Sequence, residues 1–460
     1  MVASGELSAR ELLDGHLARI DEVNPSVNAI VTHTRAHAVE AATRADDAFS
    51  RGELLGPLHG LPIAHKDLVL TKGIRTTFGS PIYEDHVADE DELFVERIRD
   101  AGAVMLGKTN TPEFGAGSHT FNPVFGVTRN PYDRSRSAGG SSGGAAAALA
   151  AGMIPVADGS DLGGSLRNPA AFCNVVGFRP SPGRVPSWPS TDPAQDLSVD
   201  GPMGRTVGDV ALLLSVMAGP DPRVPISIDE AGAVFRTEPL DADLERLRVA
   251  FAPRADGRMP FDPRIAEVVA GHAATFDSLG WHADEAFPDL TGAREAFFTL
   301  RARTYADDLG ELLAEQRDLM KPTVVWNVEL GLDLSDDDVA RATSILRAIR
   351  ERTRAFFERY DLLAMPVTQV VPFPVEIEFP TEIEGAQMPT YLDWMESCWA
   401  ITVTGCPAIS VPAGFTEEGM PVGIQLVAAP GADLALLRAA HSFEQATAFW
   451  RRAPSEPGAE

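Results

Sequence analysis

Gly139-Gly-Ser-Ser-Gly-Gly144 and Gly159-Ser-Asp-Leu-Gly-Gly-Ser-Leu-Arg-Asn-Pro-Ala170 are the two stretches on which the fold of this chain turns. Between them lie an alanine-rich run, Ala145–Ala151, that predicts a short helix ended by Gly152, and Ile154–Ala157, which reads as a buried strand. A helix start near Pro169 closes the unit. Two glycine-rich loops thus flank one helix-strand unit.

Outward from this unit the N-terminal side alternates helix and strand. Ser8 and Glu11 have capping-box spacing, and Leu12, Leu13, Leu17 and Ile20 follow at helical intervals, so residues 8–22 are expected to be an amphipathic helix. A second helix is expected over 36–51, a strand over 61–70 with Lys66 inside it, a helix over 93–101 and a strand over 103–106. That order is the order of β-α-β units. Residues 115–144 read as loop. On the C-terminal side, 255–360 are charged and mostly helical, with helices expected near 264–279, 293–316 and 336–359; apolar strand sequence returns at 362–367, 408–411 and 422–427. Without a Pro/Ser linker or internal repeat, the expectation is one α/β domain over 1–460, a large mixed sheet with helices on both faces, carrying a helical insertion at 255–360.

Composition narrows the function classes. The 460 residues carry 66 acidic and 39 basic side chains, a net charge of −27 that repels a polyphosphate backbone, so nucleic acid and anionic membrane are poor partners. Cys173, Cys398 and Cys406 fit neither paired disulfides nor a zinc pattern, which suits a reduced cytoplasmic setting without a metal. No signal peptide or long apolar span is legible in the sequence. Only Lys66, Lys72, Lys108 and Lys321 are lysines, so a lysine inside an apolar strand stands out.

Three chemistries compete for the loops. Gly139–Gly143 contains G-x-S-x-G, but the preceding Arg134-Ser-Arg-Ser-Ala138 is no buried strand, and His272, His282 and His441, the available bases, have no evident catalytic setting. Residues 159–165 lack the lysine of a phosphate loop. Their small residues can instead converge backbone amides on an anion, with Ser165 placed beside them as an acyl-transfer nucleophile. A buried Lys66 loses its proton more easily, so Lys66, Ser141 and Ser165 can form a relay. The plain alternative pairs Lys66 with Asp67 or another carboxylate and leaves the loops as ordinary turns.

The two loops closely resemble the signature of the amidase signature family. The resemblance extends to Gly56-Pro-Leu-His-Gly-Leu-Pro-Ile-Ala-His-Lys-Asp67, Gly107-Lys-Thr-Asn-Thr-Pro-Glu-Phe114, Gly177-Phe-Arg-Pro-Ser-Pro-Gly-Arg184, Pro407-Ala-Ile-Ser-Val-Pro-Ala-Gly-Phe415 and Pro421-Val-Gly-Ile-Gln425, most of the chain outside roughly 220–360. It implies a Ser-cisSer-Lys triad with Ser165 as nucleophile, Ser141 following a cis peptide bond, and Lys66 as base. It also implies an oxyanion hole from the amides of Leu162, Gly163, Gly164 and Ser165, supported by Ser142 and Asp161. His65 departs from the aliphatic residue expected before the lysine, and Leu162 from the usual Thr or Ile. Gly115-Ala-Gly117 replaces a bulkier Ala-Met-Gly type of sequence, so a wide acyl pocket is expected, lined by Phe114, Gly115 and Ala116 on one side and by Trp394 and Trp399 of the segment 391–399 on the other. The resemblance implies a free-standing amide hydrolase that needs no cofactor, with a small amide, ester or carbamate (urethane) as its partner and a homodimer left open. An amidotransferase A-type subunit that needs a partner, and a non-catalytic scaffold, are the alternatives.

Overall fold

The computed structural model describes residues 1–242 and 244–455. Eleven strands form one mixed sheet: β1 (Ile30–His33), β2 (Pro62–Lys66), β3 (Val104–Thr109), β4 (Val156–Asp161), β5 (Val176–Arg179), β6 (Val199–Gly204), β7 (Arg248–Phe251), β8 (His282–Glu285), β9 (Leu362–Pro366), β10 (Ala408–Phe415) and β11 (Pro421–Val427). Their spatial order is β1-β3-β2-β4-β6-β5-β10-β11-β9-β7-β8. The β3-β2-β4 and β9-β7-β8 neighbours are parallel and the remaining pairs antiparallel.

Helices cover both faces because alternate strand residues point to opposite sides. Ile63 of β2 and Val156 of β4 pack with Ile98 of helix α3 (Leu93–Asp100) and Val210 of α6 (Val207–Met217). Their neighbours Ala64 and Ala157 pack instead with α1 (Ala9–Val27), α2 (Arg35–Ser50) and the alanines of α4 (Gly143–Ala150). The capping box at Ser8 and Glu11 is formed, with Glu11 N–H donating to Ser8 Oγ at 3.0 Å. α1 nevertheless runs to Val27, five residues past its expected end, since Val23 and Val27 continue the buried stripe and Asn28, in the left-handed conformation, ends it.

The stretch 255–360 is not one helical insertion. Helices Pro263–Ala270 and Ala273–Ser278 lead into β8, an edge strand of the main sheet, whose His-Ala-Asp-Glu sequence is largely exposed and lacks apolar alternation. Only 293–357 forms a helical cluster, made of α7 (Ala293–Gln316), α8 (Pro322–Leu332) and α9 (Asp336–Phe357). α8 begins with a proline in its first turn. Among the described residues no helix is long and apolar enough to cross a membrane.

Candidate active site

Parallel pairing of β2 with β4 ends the two strands side by side, so Lys66 and Ser160 emerge together. The turn into α4 brings Ser141 to them, and the turn from β4 into α5 (Arg167–Cys173) brings Ser165. Lys66 is fully buried. Its Nζ donates to Ser141 Oγ at 2.7 Å and to Ser160 Oγ at 3.0 Å. The Gly140–Ser141 peptide bond is cis. Lys66 does not pair with Asp67, whose carboxylate accepts from Thr77 N–H and Thr77 Oγ instead. Burial without an ion pair pushes Lys66 down to about 7, against the opposing charges of Asp200, Asp161 and Asp158. Asp158 is itself held by His65 Nδ1 and by the Lys66 N–H.

Asp161 shapes the loop that carries Ser165. Its carboxylate accepts from Gly164 N–H at 2.9 Å, Leu166 N–H at 3.1 Å, and Arg167 Nε and Nη2 at 2.9 and 2.8 Å. Burial alone raises a carboxyl's pKa, but Arg167, the hydrogen bonds and Arg179 overcome it and hold Asp161 well below the usual carboxylate range. Arg167 reaches on to Gln425 Oε1, Thr402 Oγ1 and the Cys398 carbonyl, so the loop is tied to β11 and to the helix Glu396–Thr402. Gly164 has φ +111°, and a Cβ there would stand 2.5 Å from Cys398 Cβ, which leaves room for glycine alone.

These side chains open on a cavity of about 650 Å³ lined by Ser141, Ser160 and Ser165. Leu162, Gly163 and Ser165 line it and Gly164 does not, so the Gly164 amide, spent on Asp161, departs from the expected set of oxyanion donors. Ser142 supports the loop through its backbone N–H, which donates to the Ser165 carbonyl at 3.2 Å; its buried hydroxyl has no hydrogen-bond partner among the described residues.

The expected pocket walls are corrected in part. Phe114 and Gly115 line the cavity, with Leu68, Phe78 and Leu162 nearby. Ala116 is fully buried behind them, its carbonyl accepting from Lys321 Nζ at 3.2 Å. Trp394 and Trp399 are core residues: Trp399 stacks on Phe297 at 5.3 Å between centroids and donates Nε1 to the Leu392 carbonyl at 2.8 Å, and Trp394 stacks on Phe172 at 6.1 Å. Tyr391, Leu392 and Met395 of the same segment reach the cavity in their place. The outer wall, unforeseen from sequence, comes from α7 through Arg301, Thr304, Tyr305, Asp308 and Leu309. Arg301 is the cation of that wall and is engaged by Asn327 Oδ1 and Tyr391 Oη. Glu92 and Asp200 also face the cavity.

None of His272, His282 and His441 lines the cavity; His272 bonds the Ala413 carbonyl and His441 faces Asp241. No group of three His, Cys, Asp or Glu side chains among the described residues is placed to hold a metal ion.

A protein-family model described as Amidase matches residues 11–437. The chain belongs to the amidase signature family. An acylamidase from Rhodococcus erythropolis is 37% identical over 458 residues, covering 99% of this chain and 95% of that protein. The A-type subunit of the Glutamyl-tRNA(Gln) amidotransferase from Moorella thermoacetica is also 37% identical, over 98% of this chain and 95% of that one. Among solved structures, a bacterial aryl acylamidase of the amidase signature family superposes with a TM-score of 0.91 at 28% identity, covering 98% of this chain and 96% of that one. The 6-aminohexanoate cyclic dimer hydrolase, solved with its substrate, gives 0.89 at 31% identity over 99% and 97%. This amidase signature chain thus has an acylamidase relative and an amidotransferase relative at equal identity.

Proposed function

We propose that this amidase signature chain hydrolyses amides on its own through an acyl-enzyme on Ser165. Neutral Lys66 takes a proton from Ser141 as Ser141 takes one from Ser165, and Ser165 Oγ attacks the carbonyl carbon. The amides of Leu162, Gly163 and Ser165 hold the oxyanion. The C–N bond then breaks, the proton passes from Lys66 back through Ser141 to the departing amine, and water repeats the sequence to release the acid. The observation that carries this reading is the buried Lys66 side-chain nitrogen, free of any carboxylate partner among the described residues, 2.7 Å from Ser141 Oγ in the wall that also presents Ser165.

A cavity of about 650 Å³ with Leu68, Phe78, Phe114, Leu162 and Leu309 in its walls suits aryl and other bulky amides, and by the same chemistry aryl esters and carbamates, including urethanes. The acylamidase relatives support the amide reading. The equally similar amidotransferase relative supports a second one, in which the same relay serves a partner-dependent complex. A panel of chromogenic anilides, esters and carbamates, run on the purified chain and on Ser165→Ala, separates them. Anilide turnover by the chain alone, lost in the variant, supports the hydrolase; turnover that appears only with added amidotransferase partner subunits overturns it.

A further inference from the structure

Acyl transfer as just described leaves two carboxyl groups of the cavity, Asp200 and Glu92, without a task. Ser160, which accepts from Lys66 Nζ, stands in register with Asp200 across the antiparallel β4–β6 ladder. Directly opposed residues in such a ladder keep their Cβ atoms about 4.5–5.5 Å apart on one face. Asp200 and Glu92 line the same cavity as Ser160. Asp200 accepts from Ser187 Oγ at 2.6 Å, and Glu92, at the N-terminal boundary of α3, accepts from Leu70 N–H at 3.0 Å.

The other charged groups around Lys66 are spoken for. Asp158 of β4 is bound by His65 of β2, and Asp161 by Arg167 and Arg179. Asp67 is held by Thr77, and Lys108 of β3 donates to the Val69 carbonyl and Thr71 Oγ1. Asp200 and Glu92 form no ion pair among the described residues, so Asp200 is the carboxylate whose charge remains for Lys66.

We propose that Asp200 is a positioning residue for this reaction: set across Ser160 from Lys66, its carboxylate fixes the pH at which the lysine releases its proton. The inference rests on Lys66 as base and Ser165 as nucleophile. Asp200 exerts the largest charge effect opposing the burial of Lys66. Burial raises Asp200 itself to about 6, Ser187 and Lys66 opposing and Asp158 adding to it, while burial and the Asp200 charge lift Glu92 well above the usual range. At about 6, Asp200 is mostly ionised around neutral pH, and the raised Glu92 carboxyl takes up a proton more readily than an ordinary glutamate. An anion here favours the ammonium form, so removing it lets Lys66 become neutral at lower pH.

The test is the rate of Ser165 phosphonylation by a fluorophosphonate across about pH 5 to 9, a range that brackets the lysine's midpoint. Wild type should give an ascending limb centred near 7. In Asp200→Asn/Glu92→Gln the limb should move about one unit toward acid, about tenfold faster labelling at its foot relative to its own plateau. Asp200→Glu should restore the wild-type limb. Ser187→Ala, which keeps the Asp200 carboxyl group but strips the hydrogen bond that favours its ionised form, should move the limb the same way by less and carries the test if the double variant does not fold. Variants slowed equally at every pH, with the limb unmoved, would show that Asp200 is merely structural. A wild type that forms no adduct on Ser165 would instead remove the acyl-enzyme reading on which the inference stands.

Discussion

Replacing Asp161 with asparagine keeps the side chain's shape and deletes the anion that organises the nucleophile loop. Two buried guanidiniums depend on that anion: Arg167 through two hydrogen bonds at 2.8 and 2.9 Å, and Arg179, which also donates to the Asp161 carbonyl. Neither arginine side chain has measurable exposure. Breaking a buried pair from one side costs about 3–5 kcal/mol, because the surviving charge is left in a poorly solvating interior. Gln425, Thr402 and the Cys398 carbonyl cushion Arg167, whereas Arg179, once that anion is gone, keeps among the described residues only the Asp161 and Leu197 carbonyls, so the cost should fall toward the middle of that range. In the native state Asp161 titrates well below its unfolded value. Its contribution is therefore complete above the unfolded pKa of about 3.9 and disappears as pH falls through the folded value, so the loss in Asp161→Asn should be the same at any neutral or mildly basic pH. Urea unfolding of wild type and variant, followed by tryptophan fluorescence, reads the stability change, and fluorophosphonate labelling reads the loop. A variant within about 1 kcal/mol of wild type that labels Ser165 at the normal rate would refute the idea that this anion holds the loop.

Trp399→Ala should lower stability by about 3–5 kcal/mol and impair small and bulky substrates alike, as befits a core ring stacked on Phe297; selective loss of aryl substrates in steady-state assays would return it to the pocket. Gly115→Ala would set a methyl 3.7 Å from Ser141 Oγ and 3.1 Å from Leu68 Cδ1, so kcat/KM should fall more for bulky acyl groups than for acetyl; equal losses would point to the strain of its φ of +69°. Lys66 carries a linked stability effect: above about 7 the unfolded chain keeps a lysine proton that the folded chain has released, so this group makes the fold more stable as pH rises toward the ordinary lysine value of 10.5, and Lys66→Met should abolish that slope in urea midpoints. With Asp192, Asp307 and Asp308 on the outer wall and Arg301 already engaged, neutral anilides should be preferred over otherwise equal anilides bearing a carboxylate; a reversed preference in kcat/KM would contradict this charge pattern.

Glycine-rich loops and a rare lysine point to Lys66, Ser141 and Ser165 but leave a relay and ordinary turns both open; the family resemblance is what singles the three out, and the β2–β4 pairing and the turn into α4 are what set Lys66 beside Ser141. The helix expected at 293–316 coincides with Ala293–Gln316 because its boundaries are written in local sequence. β6 is invisible in the sequence, since Val-Asp-Gly-Pro-Met-Gly is rich in strand-averse residues and becomes a strand only between β4 and β5. α8 is hard to foresee because its apolar residues include an unpatterned Val-Val-Trp run. Glu92 and Asp200 lie far apart in polar sequence, and only the β4–β6 register and the start of α3 bring them to one cavity, with Asp200 across Ser160 from the lysine. Trp394 and Trp399 mislead for the opposite reason: aromatic character alone does not reveal which face of a short helical segment meets the cavity and which meets the core.

The relay itself is tested most directly by peptide mapping of the covalent adduct formed with a fluorophosphonate on wild type, Ser165→Ala and Lys66→Ala. One adduct is expected, on Ser165 of wild type, with none in Ser165→Ala, and labelling in Lys66→Ala should be slowed by at least about a hundredfold with its ascending pH limb gone. An adduct on Ser141, or a Lys66→Ala chain labelled at the wild-type rate, would contradict the relay.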